Sequence, residues 1–292
     1  MKSSRNIYKL NQSELPNEIR NCLAVINRVA LEQKINYLVV GATARDLVFE
    51  HLFSIGVERA TRDLDITIQV ATWQIYEQFV EALQTQGFDR HNRVAHRLYF
   101  GQTDDSLPID IVPFGDLSNE QGDIEIPPDK FKMSVLGFAE AYQHALYIEF
   151  DKNLVVPIAS PEGLALLKLI SWLDREPNRR AKDATDLWFL IQNYQRLPWV
   201  KEPIYDTTYM EKHDFDINKA SAEFLANQIF DIVSKNSIEF IHGNLLADES
   251  MTEALVREMG SNSEHALENR YEIMRIIFTE LLTRHSEVQI KI

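Results

Sequence analysis

Thr61-Arg62-Asp63-Leu64-Asp65-Ile66-Thr67-Ile68 is the stretch on which the reading of this chain turns. Its second half alternates apolar and polar residues, the pattern of a strand with one face buried. Side chains two apart on a strand share a face, so Asp63 and Asp65 stand side by side while Leu64, Ile66 and Ile68 turn to the core. Adjacent carboxylates repel unless a cation lies between them, and oxygen-only donors suit Mg²⁺ or Mn²⁺. A solvated strand edge carrying two surface aspartates produces the same triplet, so at this point both readings stand.

The flanking segments bear on the choice. Upstream, Asn36-Tyr37-Leu38-Val39-Val40 reads as a short buried strand ended by Gly41, and Ala42 to Phe53 reads as a helix. A strand that ends in glycine and passes at once into a helix presents free N–H groups and the positive end of the helix dipole, which together bind phosphate. A plain strand–turn–helix has the same pattern. Downstream, Arg97 to Gly101 and Leu107 to Val112 read as two strands of a hairpin joined through Gln102 to Ser106. Asp110 stands alone in the second, an apolar strand where a carboxylate is costly unless paired, exposed or bound to metal. Three carboxylates gathered on one sheet face can hold two divalent ions, which activate an attacking hydroxyl and neutralise a leaving pyrophosphate.

Further out, Glu14 to Lys34 and Thr72 to Gln86 have helical spacing, the latter closed by Gly87. Asp116 to Asp129 is an acidic loop to which no chemistry attaches. The character changes near Pro157. Ser160-Pro161-Glu162 supplies a cap and a first-turn proline for a helix to about Trp172. Asn178 to Tyr194 reads as a second helix, Leu197 to Asp216 as a long connection, and the chain beyond Asn218 as further helices. The expected fold class is α+β: an α/β domain with a small mixed sheet over residues 1–157, then a helical domain over 158–292.

Composition narrows the function. Of 292 residues, 30 are basic and 44 acidic, a net charge of −14 that disfavours a protein coating nucleic acid non-specifically. No run approaches the roughly 18 apolar residues of a membrane span, and Met1 to Asn11 lacks an apolar signal core. Cys22 is the only cysteine, which excludes a disulfide framework and a cysteine zinc site. These features point to a cytoplasmic protein without a membrane partner.

The order strand–Gly–helix, DxD strand, lone-Asp strand resembles the nucleotidyltransferase superfamily that includes DNA polymerase β. More closely it resembles the AbiEii-type branch, toxins of toxin–antitoxin and phage-defence systems. The motifs are Gly41-Ala42-Thr43, Asp63-Leu64-Asp65 and Asp110, followed in the helical half by Pro161 to Lys168 and by Arg180-Ala181-Lys182-Asp183-Ala184-Thr185-Asp186-Leu187. They cover roughly residues 35 to 195. One position departs from the pattern. The family's turn carries a second Gly or a Ser after the first Gly, where this chain has Ala42; alanine keeps the N–H but has no hydroxyl, and Thr43 offers one next door.

The resemblance implies a polymerase-β-like domain that binds a nucleoside triphosphate with Mg²⁺ and passes the nucleoside monophosphate to an acceptor, a tRNA end, a protein hydroxyl or a small molecule. It implies Asp63, Asp65 and Asp110 as catalytic metal ligands, and Gly41, Ala42, Thr43, Arg45, Lys168 and Asp183 as nucleotide-binding residues. A toxin would also have a cognate antitoxin. Lys168 lies mid-helix among Leu164, Leu167 and Leu169, and Asp183 and Asp186 share a helix face. Either Lys168 holds a phosphate with Asp183 orienting it, or the three form an interhelical salt bridge. Arg90 to Arg97 is a basic island that meets phosphates or is simply a surface loop. Three readings stand: a toxin or defence nucleotidyltransferase, a transferase acting on a small molecule such as an antibiotic, and a nucleotide-binding regulatory protein that has lost turnover.

Overall fold

The structure, a computed structural model, describes residues 7–10, 15–57, 63–101, 106–128, 130–206, 208–246, 248–261 and 263–290, with backbone only over 287–290 and at 246. Arg62 and Gln102 to Asp105 fall outside them. The chain divides into two compact units, Met1–Ser160 and Pro161–Ile292. The boundary anticipated at 157 would cut a strand that runs Leu154–Ile158.

In the first unit the strands are β1 (Ile7–Lys9), β2 (Asn36–Val40), β3 (Leu64–Gln69), β4 (Phe88–Arg90), β5 (Arg97–Phe100), β6 (Leu107–Phe114), β7 (Asp123–Ile126), β8 (Phe131–Ser134), β9 (Leu146–Asp151) and β10 (Leu154–Ile158). The helices are α1 (Asn17–Gln33), α2 (Gly41–Asp46), which continues into a π-helical turn over Leu47–Leu52, α3 (Trp73–Gln84) and α4 (Phe138–Gln143). Eight strands form one mixed sheet in the order β1-β9-β10-β2-β3-β6-β5-β4. The sheet is mixed as expected but larger, because β9 and β10 form an antiparallel hairpin alongside β2 and β1 adds in parallel to β9. β7 and β8 form a separate hairpin, so part of the anticipated acidic loop is strand. Ile124 and Ile126 of that hairpin bury against Phe114 and Val135, with Trp73, Phe138 and Tyr142 packed around them.

The centre of the sheet is apolar by alternation. Leu64, Ile66 and Ile68 of β3 and Ile109 and Ile111 of β6 are buried almost completely, each worth about 1.5–3 kcal/mol relative to exposure. Two side-chain hydrogen bonds pin β6. Thr67 Oγ1 donates to the Val112 carbonyl at 2.8 Å, and Tyr76 Oη of α3 donates to the Ile111 carbonyl at 3.1 Å.

The second unit is helical: α5 (Pro161–Asp174), α6 (Ala181–Tyr194), α7 (Pro198–Tyr205), α8 (Tyr209–Lys212), α9 (Ile217–Ile232), α10 (Lys235–Ile241) with a π-helical turn over His242–Leu246, α11 (Glu249–Glu258) and α12 (Glu264–Ile290). The connection anticipated over Leu197 to Asp216 holds two short helices; Pro198 starts the first, where its missing N–H costs nothing. α5 is apolar on nearly every side, with Leu164, Leu166, Leu169, Ile170 and Trp172 buried. α9 packs on α5, α6 and α12. Asp216, Ser234 and Asp248 cap α9, α10 and α11 through side-chain oxygens. Among the described residues, no helix is long and apolar enough to cross a membrane.

Candidate active site

Four residues stand in a row across the middle of the sheet. Val40 of β2 is in register with Asp65 of β3, Asp65 with Asp110 of β6, and Asp110 with Arg97 of β5. β3 and β6 run parallel, so their register partners Asp65 and Asp110 point to the same face, on strands about 4.8 Å apart. Asp63 sits just before β3 in the same phase as Asp65. All three aspartates are half-buried, whereas Leu64 and Ile109 in the opposite phase are fully covered.

Gly41 fixes the position of Asp65. Its φ is +68°, in the left-handed region, and a Cβ built on it would lie 2.0 Å from Asp65 Oδ2 and 2.8 Å from its Cγ. The Asp65 carboxylate therefore packs directly over the first residue of α2, an approach that only glycine permits. Val40 gives α2 no side-chain cap. The Thr43 hydroxyl is buried and donates to the Asp63 carbonyl at 2.6 Å. It thus ties α2 to the start of β3, and its proton is committed to main chain instead of standing in for the missing hydroxyl at Ala42, itself buried. Arg45, also buried, directs Nε and Nη2 at Asp46 Oδ1 at 2.8 and 2.7 Å. Its charge is thereby matched by the neighbouring residue.

Asp110 is gripped from the far side of the row. Arg97 Nε donates to Oδ1 and Nη2 to Oδ2, both at 2.7 Å, a two-pronged guanidinium–carboxylate pair. The Arg97 side chain is 31% exposed and that of Asp110 19%. Such charge-assisted bonds contribute about 1–2 kcal/mol once partial exposure is allowed for. The hydrogen bond to Asp110 and the nearby charges of Asp110 and Asp63 hold the Arg97 guanidinium even more firmly protonated than usual. Beside it, burial lowers the His96 imidazole below 6.5, against the opposing pull of Asp110. The sequence places Arg97 in a basic island and at the start of a hairpin strand, but does not by itself show that it pairs with Asp110.

The donor set suits a hard divalent cation: carboxylate oxygens only, on one face, from adjacent strands. In the arrangement seen, a guanidinium fills the cation's role at Asp110. Among the described residues no three His, Cys, Asp or Glu side chains are already gathered into a metal site, so Asp63, Asp65 and Asp110 would have to draw together to share an ion.

In the second unit, Lys168 Nζ lies 3.0 Å from Asp183 Oδ1 and 2.7 Å from Asp186 Oδ2, and Arg175 Nη1 lies 2.7 Å from Asp183 Oδ2. Asp183 is only 2% exposed. Burial alone would lower the Lys168 ammonium, but the two carboxylates outweigh it and the net shift is upward. Two cations face two anions, so the cluster carries no surplus positive charge. These contacts form an interhelical salt bridge between α5 and α6.

Known proteins add the following. The sequence pattern of the family described as "Nucleotidyl transferase AbiEii toxin, Type IV TA system" matches residues 28–257. No curated protein sequence matches the chain. Among solved structures, similarity extends to an antigenic nucleotidyltransferase-like protein from Paracoccidioides brasiliensis (15% identity, 70% of this chain and 93% of that one, TM-score 0.42). The antibiotic-resistance factor ANT(2'')-Ia is similar at 11% identity over 94% of this chain and all of that one, TM-score 0.31. The Thermotoga maritima CCA-adding enzyme, solved with tRNA, is similar at 13% identity over 92% of this chain and 83% of that one, TM-score 0.27. The family match spans most of the chain and contains every residue of the aspartate row: this protein is a member of the AbiEii nucleotidyltransferase toxin family.

Proposed function

We propose that the protein transfers a nucleoside monophosphate from a nucleoside triphosphate to an RNA (tRNA) or protein acceptor, with Mg²⁺ or Mn²⁺ held by Asp63, Asp65 and Asp110. The observation that carries this reading is the parallel register of Asp65 with Asp110, with the Asp65 carboxylate packed on Gly41. Bound there, a divalent ion would neutralise charge developing on the phosphates and favour the ionised form of the acceptor hydroxyl. The chain's own groups supply the rest. Gly41 leaves room for the Asp65 carboxylate, Thr43 fixes the backbone at Asp63, and the N–H groups of Gly41, Ala42 and Thr43, to which Val40 offers no side-chain cap, would receive phosphate. From the family pattern, Lys168 is assigned to a phosphate and Asp183 to orienting it. As a toxin the protein would act on cytoplasmic nucleotides and be opposed by a cognate antitoxin.

Incubation with each labelled nucleoside triphosphate and Mg²⁺, followed by separation of RNA, protein and small-molecule fractions of a cell extract, tests the proposal. Label should enter RNA or protein with the natural sequence and not with Asp65→Asn. A second reading, nucleotide binding without turnover, is favoured by the commitment of the Thr43 hydroxyl to Asp63 beside the hydroxyl-free Ala42. Nucleotide binding with no labelled fraction from any nucleotide would select it.

A further inference from the structure

We propose that Arg97 is a built-in counter-cation of the aspartate site, and that Asp110 takes up a divalent ion only by giving up Arg97. The inference rests on the metal-dependent reading above. Both oxygens of Asp110 accept from Arg97, Oδ1 from Nε and Oδ2 from Nη2, each at 2.7 Å, so each already carries a guanidinium N–H. The same guanidinium feels the charge of Asp63, so its influence reaches beyond Asp110. A guanidinium and a divalent ion on the same carboxylate repel each other, so the Arg97 pair and the metal compete for Asp110.

Rotation of the arginine is the way the pair is given up, and its partial exposure permits that. With a side chain 31% exposed, Arg97 can swing its guanidinium to water, while Asp65 is confined against Gly41. Asp65 is therefore the fixed part of the site and Asp110 the part that exchanges partners. Without metal, Arg97 offsets the charge of Asp110 and of nearby Asp63. It acts through Asp110 and is a positioning residue.

The test is direct binding of Mn²⁺ to the full chain without nucleotide, followed by the loss of the free-ion paramagnetic resonance signal. Arg97→Gln should bind Mn²⁺ roughly tenfold tighter than the natural sequence or better, because a charge-assisted two-pronged pair no longer competes. Arg97→Lys, which keeps the charge but not the two-pronged contact, should tighten binding only a few fold, and it carries the comparison if Arg97→Gln does not fold. Asp110→Asn should weaken binding in either background. The metal-free melting temperature of Arg97→Gln should fall, and Mn²⁺ should raise it by more than it raises that of the natural sequence. Equal or weaker Mn²⁺ affinity in the folded Arg97 variants would overturn the proposal while leaving the metal site intact. Failure of every protein to bind Mn²⁺ would overturn it together with the metal-dependent function.

Discussion

Replacing Gly41 by alanine tests the geometry of the site through one added methyl group. Two separate costs follow from the structure. The φ of +68° places a non-glycine residue in the left-handed region, at roughly 1–2 kcal/mol. The new Cβ would also sit 2.0 Å from Asp65 Oδ2, where real contacts do not fall below 3.0 Å. The carboxylate must therefore retreat by about 1 Å, at a further ~1 kcal/mol if it leaves its rotamer well. The sum, about 2–3 kcal/mol, weakens the fold without abolishing it, but a displacement of that size at a reacting centre costs on the order of 100-fold in rate. Gly41→Asn separates the two costs, because asparagine tolerates positive φ and still carries the Cβ. Asparagine should recover part of the stability and none of the transfer. Urea unfolding and labelled-nucleotide transfer, measured on the same preparations, decide the matter. Near-normal transfer by Gly41→Ala would refute the claim that the observed position of Asp65 is the working one.

Three further outcomes are expected. Asp65→Asn should lower transfer at least ~1000-fold, since an amide of the same shape cannot offset a divalent ion. Its metal-free melting temperature should hold or rise, and retained transfer would show that Asp65 is no metal ligand. Lys168→Met should cost about 3 kcal/mol in urea unfolding, because Asp183, 2% exposed, loses its closest buried cation and keeps only the more exposed Arg175; a loss under ~1 kcal/mol would remove the structural role of the pair. The third concerns pH. Burial lowers the folded-state His96 below its ordinary 6.5, so below that pH the unfolded chain takes up a proton that the folded chain resists. Stability should accordingly fall as pH drops from about 7 to about 5, and fall less in His96→Gln. Identical pH profiles for the two proteins would contradict the assignment.

The sequence was most legible where one local rule acted alone. Alternation of Leu64, Ile66 and Ile68 located β3 and the phase of its aspartates, and Gly41 marked the turn into α2. The rule failed where the partner was remote or the segment short. β1 pairs in parallel with β9, some 140 residues away, and no local pattern announces such an edge. The β9–β10 hairpin does leave a signal, partial alternation over Leu146 to Asp151 and an apolar run from Leu154 across Lys152-Asn153, but it is too short to fix a strand without its partner. Pro198, Pro203 and nearby aromatics made α7 look like a connection, although a first-turn proline is compatible with a helix. The Arg97–Asp110 pair was within reach: a hairpin centred between Gly101 and Ser106 sets Arg97 opposite Asp110, as it sets Leu98 opposite Ile109. What the sequence could not convey was that the two side chains would take each other as partners.

Register is the property on which this site depends most. Sliding β6 by one residue against β3 would exchange Asp110 for Ile109 or Ile111 on the aspartate face and drive a carboxylate into the core, at several kcal/mol. Backbone pairing alone resists such slips weakly, since every register makes similar ladders. Here the apolar phase of Ile109 and Ile111 opposes it, and so do the hydrogen bonds from Thr67 and Tyr76 to the carbonyls of Val112 and Ile111. Tyr76 belongs to α3, so that helix, which contributes none of the aspartates, helps to hold Asp110 beside Asp65. The rigidity thus resides in the backbone of β3 and β6 and in the contact of Asp65 with Gly41. The freedom resides in one side-chain pair at the solvent side of the row, where Arg97 can let go of Asp110 without disturbing the strands that place it.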